Sequence, residues 1–182
     1  MESLKGTFLL ATPQMPDPRF KEQIIYLCSH DENGAMGFVF NKPSPHSLDD
    51  ILKSANIEAV EGEWPPVYIG GPVDGECAFF LYSADYMSEH SLDVGEGIML
   101  SRNPEILHDI ARGTGPLHYI FLLGYAGWGP GQLEMELGVN GWLSLPAEQS
   151  ILFETPDRDK WHKAAQRFGI DIVLFNDQIG SA

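Results

Sequence analysis

Apolar positions along this chain come in short blocks, and their spacing separates strands from helices. TFLLA (residues 7–11) reads as a short apolar strand, and QIIYLCS (23–29) is apolar on both faces, the pattern of a buried central strand. HDENGA then supplies a turn and residues 36–41 return apolar, which predicts a hairpin. Similar blocks predict strands over 67–69, 77–82, 98–100 and 118–123, with 142–145 and 150–153 as further strands and 172–175 as a final apolar piece. Asp74-Gly75 reads as a tight turn ahead of 77–82, and 84–97 as an acidic loop. The segment TPQMPDPRF holds three prolines and excludes regular structure.

Helical spacing appears in four places. Leu48, Ile51, Leu52 and Ala55 form one stripe, opened by Ser47 with Asp50 three residues on, close to a capping box. Asn103 and Pro104 start a helix that turns Ile106, Leu107 and Ile110 inward and closes at Gly113. Residues 132–137 read as a short helix. Thr155-Pro156 starts the last one, with Trp161, Ala164, Ala165 and Phe168 on its stripe, Gly169 at its end and Ile170 as the contact beyond. Strands and helices mix without regular βα alternation, so the pattern predicts an α+β fold rather than a doubly wound sheet. No repeat or linker divides the chain, and residues 1–182 are expected to form a single domain.

Charge narrows the partners. The chain carries 26 acidic side chains against 11 Lys and Arg, a net charge of −15 with His neutral. Nine acids and no Lys or Arg lie between Lys53 and Arg102, and no cation lies between Arg112 and Arg158. Only Arg158, Lys160, Lys163 and Arg167 cluster, and they share their segment with Asp157 and Asp159. Such a chain repels phosphate backbones, so direct nucleic-acid binding is not expected. The apolar piece 8–11 is too short for a signal-peptide core or a membrane span. Cys28 and Cys77 are the only cysteines, and reduced thiols in a cytoplasm are expected.

Motifs with known chemistry are missing. In LLGYAGWGPGQLEMEL (122–137), Gly127 and Gly129 are followed by Gln132 where a dinucleotide fingerprint needs its third glycine. The helix there is short, Gly138 interrupts it, and no P-loop occurs anywhere. The glycines either hold a ligand or let two backbones pass closely. Gln132 and Glu136 lie one helical turn apart and would point together near the helix start, either as a polar binding corner or as a brace. Cys28 and His30, at i and i+2, would share a strand face, but an apolar setting makes Cys28 a buried, unreactive thiol. The six histidines and two cysteines lack metal-ligand spacing, so neither a metal nor a cofactor is expected. There is no GxSxG elbow.

Five segments, taken as a set, add a resemblance. GTFLLATPQMPDPRF (6–20), HDENGAMGFVFNKP (30–43), YIGGPV (68–73), LGYAGWGPGQLEMEL (123–137) and ILFETPDRDKWHKAAQRFGID (151–171) resemble the YqgE/AlgH family of bacterial proteins. That family is often labelled a transcriptional regulator. The resemblance implies a split, mixed and largely antiparallel sheet curled into a pseudo-barrel with peripheral helices. No catalytic residues are established for the family, so none carries over. Its signature falls here on Pro13, Asp17, Phe20, Gly37, Asn41, Gly70, Gly71, Pro72, Gly124, Trp128, Gly129, Gln132, Leu133 and Glu136.

Asp17, Asn41, Gln132 and Glu136 are polar, and the expectation is that they converge on one surface, with Trp128 beside them. The competing reading makes Asp17 and Asn41 turn caps. Two functions remain. One is a cytoplasmic regulatory or binding module acting through a protein partner. The other is a small-ligand binder or enzyme using a pocket near Asn41, Gln132 and Glu136.

Overall fold

The computed structural model describes residues 2–170, and the apolar piece at 172–175 lies outside them. Nine strands form one mixed sheet among the described residues. They are β1 (Thr7–Ala11), β2 (Ile24–Asp31), β3 (Gly34–Val39), β4 (Val67–Ile69), β5 (Val73–Ser83), β6 (Leu92–Gly95), β7 (Ile98–Ser101), β8 (Tyr119–Trp128) and β9 (Trp142–Pro146). Their order is β6-β7-β5-β8-β3-β2-β1-β9, antiparallel throughout, with β4 lying parallel to β8 off this path. Four α-helices are peripheral: α1 (Leu48–Ser54), α2 (Glu105–Arg112), α3 (Gln132–Gly138) and α4 (Asp157–Arg167).

The split runs through β8. Its first half pairs with β5 and β4, and its second half with β3. Gly124 sits at the break with φ +72°. Gly70 and Gly71 cross against it: a Cβ on Gly70 would meet the Gly124 carbonyl oxygen at 2.4 Å, and one on Gly71 the Tyr125 carbonyl carbon at 2.1 Å. The glycines at this crossing therefore let backbones pass, and β8 continues through Gly124 and Gly127, beyond the strand expected over 118–123. The turn comes later, at Gly129–Gly131.

The two ends of the strand order curl toward each other. The Tyr26 hydroxyl on β2 donates to the carbonyls of Val94 and Gly95 on β6, each at 3.0 Å. Lys5 Nζ reaches Asp93 O at 2.9 Å. The curl encloses a core of Phe8, Leu10, Tyr26, Phe38, Leu81 and Ile120, into which α4 sends Trp161, Ala164 and Ala165. Alternate residues point outward and are covered as well. Leu9, Ile25 and Leu27 pack with Leu133 of α3, and Phe80, Tyr82 and Phe121 pack with α1 and α2. Double coverage is why β1 and β2 are apolar at successive positions.

Helix starts follow local chemistry. Ser47 and Asp50 form the full capping box of α1. Asn103 Oδ1 accepts from the Glu105 amide at 3.0 Å, and Gly113 closes α2 in the left-handed region.

Four expectations are corrected. Residues 150–153 are not a strand but part of a π-helical turn, Ser150–Glu154, which turns the consecutive Ile151 and Leu152 both inward. The acidic loop 84–97 contains β6. Asp74-Gly75 lies inside β5, where the register against β8 shifts between Val73 and Ala78, so the turn-forming pair makes a bulge. A second register shift between Leu27 and Ser29 resets the alternation of β2. Cys28 consequently faces the barrel interior, while His30 turns to α3.

Candidate functional site

Trp128 ends β8, and the turn Gly129–Gly131 delivers the chain into α3, so Gln132 and Glu136 rise on one face beside it. Glu136 Oε2 accepts from Trp128 Nε1 at 2.9 Å and from Trp142 Nε1 of β9 at 2.7 Å. Glu136 Oε1 accepts from Gln132 Nε2 at 2.9 Å, and Gln132 Oε1 accepts from the Gly129 amide at 3.1 Å. Each polar side-chain atom of this corner thus has a protein partner. The two indoles meet edge to face at 6.0 Å, and Phe20 joins Trp142 at 5.5 Å.

Asp17 and Asn41 bond elsewhere. Asp17 caps the 3-10 turn Pro18–Phe20 and holds Arg19 at 2.7 Å, and this bond keeps its carboxyl below the ordinary aspartate range. Asn41 accepts from the Ile24 amide at 3.2 Å and donates to Glu22 O at 2.9 Å, bracing the entry to β2. The structure brings Trp128, Gln132 and Glu136 together, and Phe20, three residues after Asp17, touches the same cluster through Trp142. It gives Asp17 the turn cap of the competing reading, and it gives Asn41 bonds to the distant Glu22 and Ile24 backbone instead of a local cap.

Trp142 belongs to the corner and carries no local signal for it, because β9 reaches the site only by pairing with β1. His30 is a neighbour. The Leu4 amide donates to its Nδ1 at 3.0 Å, which leaves the proton on Nε2, and Nε2 donates to Glu134 of α3 at 2.8 Å. That bond holds the Glu134 carboxyl below its usual range.

Sequence reasoning also left Lys160 in the one locally basic cluster, with no sign of its burial. It is 2 % exposed. Its Nζ bonds Asp157 and the Phe40 carbonyl, each at 2.8 Å, and lies 4.7 Å from the centre of the Tyr68 ring. Tyr68 donates to the same Asp157 oxygen at 2.8 Å. Burial lowers the Lys160 pKa, with Asp157 opposing. Arg167 pairs with Glu148 at 3.0 Å, so the one basic cluster of the sequence is largely neutralised. Cys28 is buried, and loss of solvent pushes its thiol well up, away from the nucleophilic thiolate.

The barrel mouth differs from all of these. Where β5 bows away from β8, a cavity of about 780 Å3 opens. Met36, Phe79, Leu100 and Tyr125, from the barrel's inner face, form its floor, with exposed Leu92 at the edge. Arg102 lies 5.1 Å over the Phe79 ring, with Nη2 3.7 Å from Cys77 Sγ. Asp74, Glu89 and Glu105 also line it. Among the described residues, neither these carboxylates nor Arg102 forms an ion pair. No helix of the described residues is long and apolar enough to cross a membrane.

Comparison with known proteins agrees with this geometry. A family model described as AlgH-like matches residues 8–173. A UPF0301 protein of Desulfotalea psychrophila is 44% identical over 181 residues, covering 99% of this chain and 95% of that one. One from Ruegeria pomeroyi is 43% identical over 182 residues, covering 98% and 99%. The solution structure of the AlgH protein from Pseudomonas aeruginosa aligns with TM-score 0.79 at 39% identity, covering 99% of this chain and 96% of that one. A crystal structure from Corynebacterium diphtheriae shares the fold, with TM-score 0.75 at 20% identity, covering 96% and 92%.

Proposed function

The chain belongs to the AlgH-like family, and from that premise we propose that it is a cytoplasmic regulatory or binding module that acts through contact with a basic surface of another protein. One observation carries the reading: charge is segregated. Residues 54–101, which build β4–β7 and their loops, hold nine acids and no Lys or Arg. The only basic cluster, on α4, is tied up by Asp157 and Glu148. This field attracts cationic partners and repels phosphate backbones, so regulation of transcription by this protein would run through proteins and not through a DNA groove. Two free thiols suit a reducing compartment.

The competing role for Asn41, Gln132 and Glu136, holding a small ligand or substrate, would require breaking bonds that these side chains already make to the protein. A photo-cross-linking amino acid at exposed Met87, with Val60 as a second site, tests the proposal in living cells. The expected result is a discrete protein adduct from the cytoplasmic fraction. Two results overturn it: no protein adduct from either site, or tight binding of random duplex DNA with a steep salt dependence.

A further inference from the structure

Two cavities with unpaired carboxylates open in the acidic half of the described residues, one beside Leu52, Ile57 and Trp64 with Glu58 and Glu61 at its edge, and the barrel mouth, whose aromatic floor belongs to the barrel's inner face. Resting on the protein-contact reading, we propose that the mouth is the docking site of a basic segment of the partner. An apolar side chain of that segment enters the cavity, and flanking Lys or Arg residues meet Asp74, Glu89 and Glu105.

Size, chemistry and charge point the same way. A volume of about 780 Å3 is within the ~300–1,000 Å3 of ligand pockets and is ample for an apolar side chain. The floor of Met36, Phe79, Leu100 and Tyr125 offers carbon and aromatic surface, so the inserted group is apolar. Exposed Leu92 (62 %), which lines the cavity at the start of β6, carries that surface outward, as expected for a segment and not an enclosed metabolite. The three carboxylates outnumber the one guanidinium, so the rim is net negative and favours a cationic visitor. Phe79 already carries a cation on its face, the Arg102 guanidinium, and a partner's Arg or Lys finds the same kind of surface on Tyr125. The mouth exists because β5 leaves β8 between Val73 and Ala78, a bulge built from the turn-forming Asp74 and Gly75.

The test uses the full 15N-labelled chain and a synthetic octapeptide with two central leucines flanked on each side by two lysines. The expected result is shift changes confined to residues 74–79, 89–92, 99–105 and the floor residues Met36 and Tyr125, with binding weakened by salt. Replacing both leucines by serine weakens binding by about tenfold or more. The double variant Glu89→Lys/Glu105→Lys does the same, while Glu58→Lys/Glu61→Lys, with the same change in net charge at the edge of the second cavity, costs less than about threefold. These four glutamates are exposed and in no ion pair among the described residues, so the variants fold and the comparison is clean. Equal weakening by the two charge pairs overturns the proposal, because the attraction is then generic. So does serine-peptide binding at full strength, or an uncharged alkyl alcohol that fills the mouth while the lysine peptide shows no preference for it. A protein adduct in the cross-linking experiment, combined with a negative result here, moves the interface off the mouth and keeps the protein-contact reading. Absence of any adduct removes the reading itself.

Discussion

The corner around Glu136 and the barrel mouth around Arg102 both gather polar side chains beside aromatic ones, yet they treat those side chains in opposite ways. In the corner, one carboxylate takes three donors from two strands and a helix, and the amide of Gln132 closes the circuit at Gly129. At the mouth, three carboxylates and a guanidinium stand around an apolar floor without pairing to each other. The indole N–H groups of buried Trp128 and Trp142 must be satisfied, and half-buried Glu136 does so, whereas a charge at an open rim keeps its water and stays available. Six of the fourteen positions that the resemblance marks, Phe20, Trp128, Gly129, Gln132, Leu133 and Glu136, lie in or against the first region, where β8, β9 and α3 meet. The difference teaches that the family's shared polar residues are consistent with architecture, and that recognition is better sought where charges remain unspent.

Removing the carboxylate of the corner is the strongest way to break this contrast. Glu136→Leu strands two indole N–H groups, on Trp128 and on the fully buried Trp142. Each loses a charge-assisted bond, and the expected destabilisation is about 3–4 kcal/mol in urea unfolding followed by tryptophan fluorescence. Glu136→Gln keeps an acceptor for one indole and should cost about half of that. A loss under about 1 kcal/mol for Glu136→Leu would mean that the corner is not a brace, and would reopen it as a binding site.

Lys160 extends the contrast to a second filled site. Lys160→Met preserves length and apolar contact but leaves Asp157 facing only the Tyr68 hydroxyl. Asp157 keeps 22 % of its side-chain surface, so water compensates in part. The expected cost is about 2 kcal/mol, below the loss typical of a fully buried pair. Restoration of most of this stability by Lys160→Met with Asp157→Leu, measured as a double-mutant cycle, would confirm that the loss lies in the unpaired carboxylate.

The mouth should respond weakly to the same treatment. Arg102→Ala removes a cation from the Phe79 ring and a contact to Cys77, and its expected effect on unfolding is under about 1 kcal/mol. A larger loss would show that the mouth is structural too.

The sequence reveals regions whose cause is local and hides those whose cause is distant. Ser47 and Asp50 announce α1 because both halves of the cap lie within four residues. The doubly apolar run of β2 announces burial on both faces. In contrast, the strand expected over 118–123 does not show that it runs on through Gly124, because the reason for that glycine is Gly70-Gly71, more than fifty residues earlier. Residues 150–153 read as a strand because a short apolar run has no period of its own, and the inward turn of both Ile151 and Leu152 is decided by packing under α4. Gln132 and Glu136 are visible as an i,i+4 pair, but Trp142 joins them only through the pairing of β9 with β1. Lys160 looks like a surface cation, since helical spacing does not show that Phe40 and Tyr68 close over it. The mouth draws on β3, β5, β7, β8 and two loops, and no spacing rule gathers these.

The smallest expected effect concerns acid, and it sharpens the account of how α3 is fixed beside the corner. The hydrogen bond from His30 Nε2 lowers the Glu134 pKa in the folded chain. The unfolded chain therefore takes up a proton on this residue at a higher pH than the folded chain does. Between the two values the unfolded state binds more protons, so stability rises with pH there and is lost as pH falls through the folded value. Asp17, Asp50 and Asp85 are lowered too, by Arg19, Ser47 and Ser83 respectively, and act in the same direction. Thermal unfolding midpoints should thus be flat near neutrality and fall as pH drops below about 5. Glu134→Gln should flatten that fall slightly, because its amide no longer titrates. An acid limb as steep in Glu134→Gln as in the parent chain would mean that the bond from buried His30 does not favour the carboxylate, and that α3 is held by Leu133 and the Glu136 bonds alone.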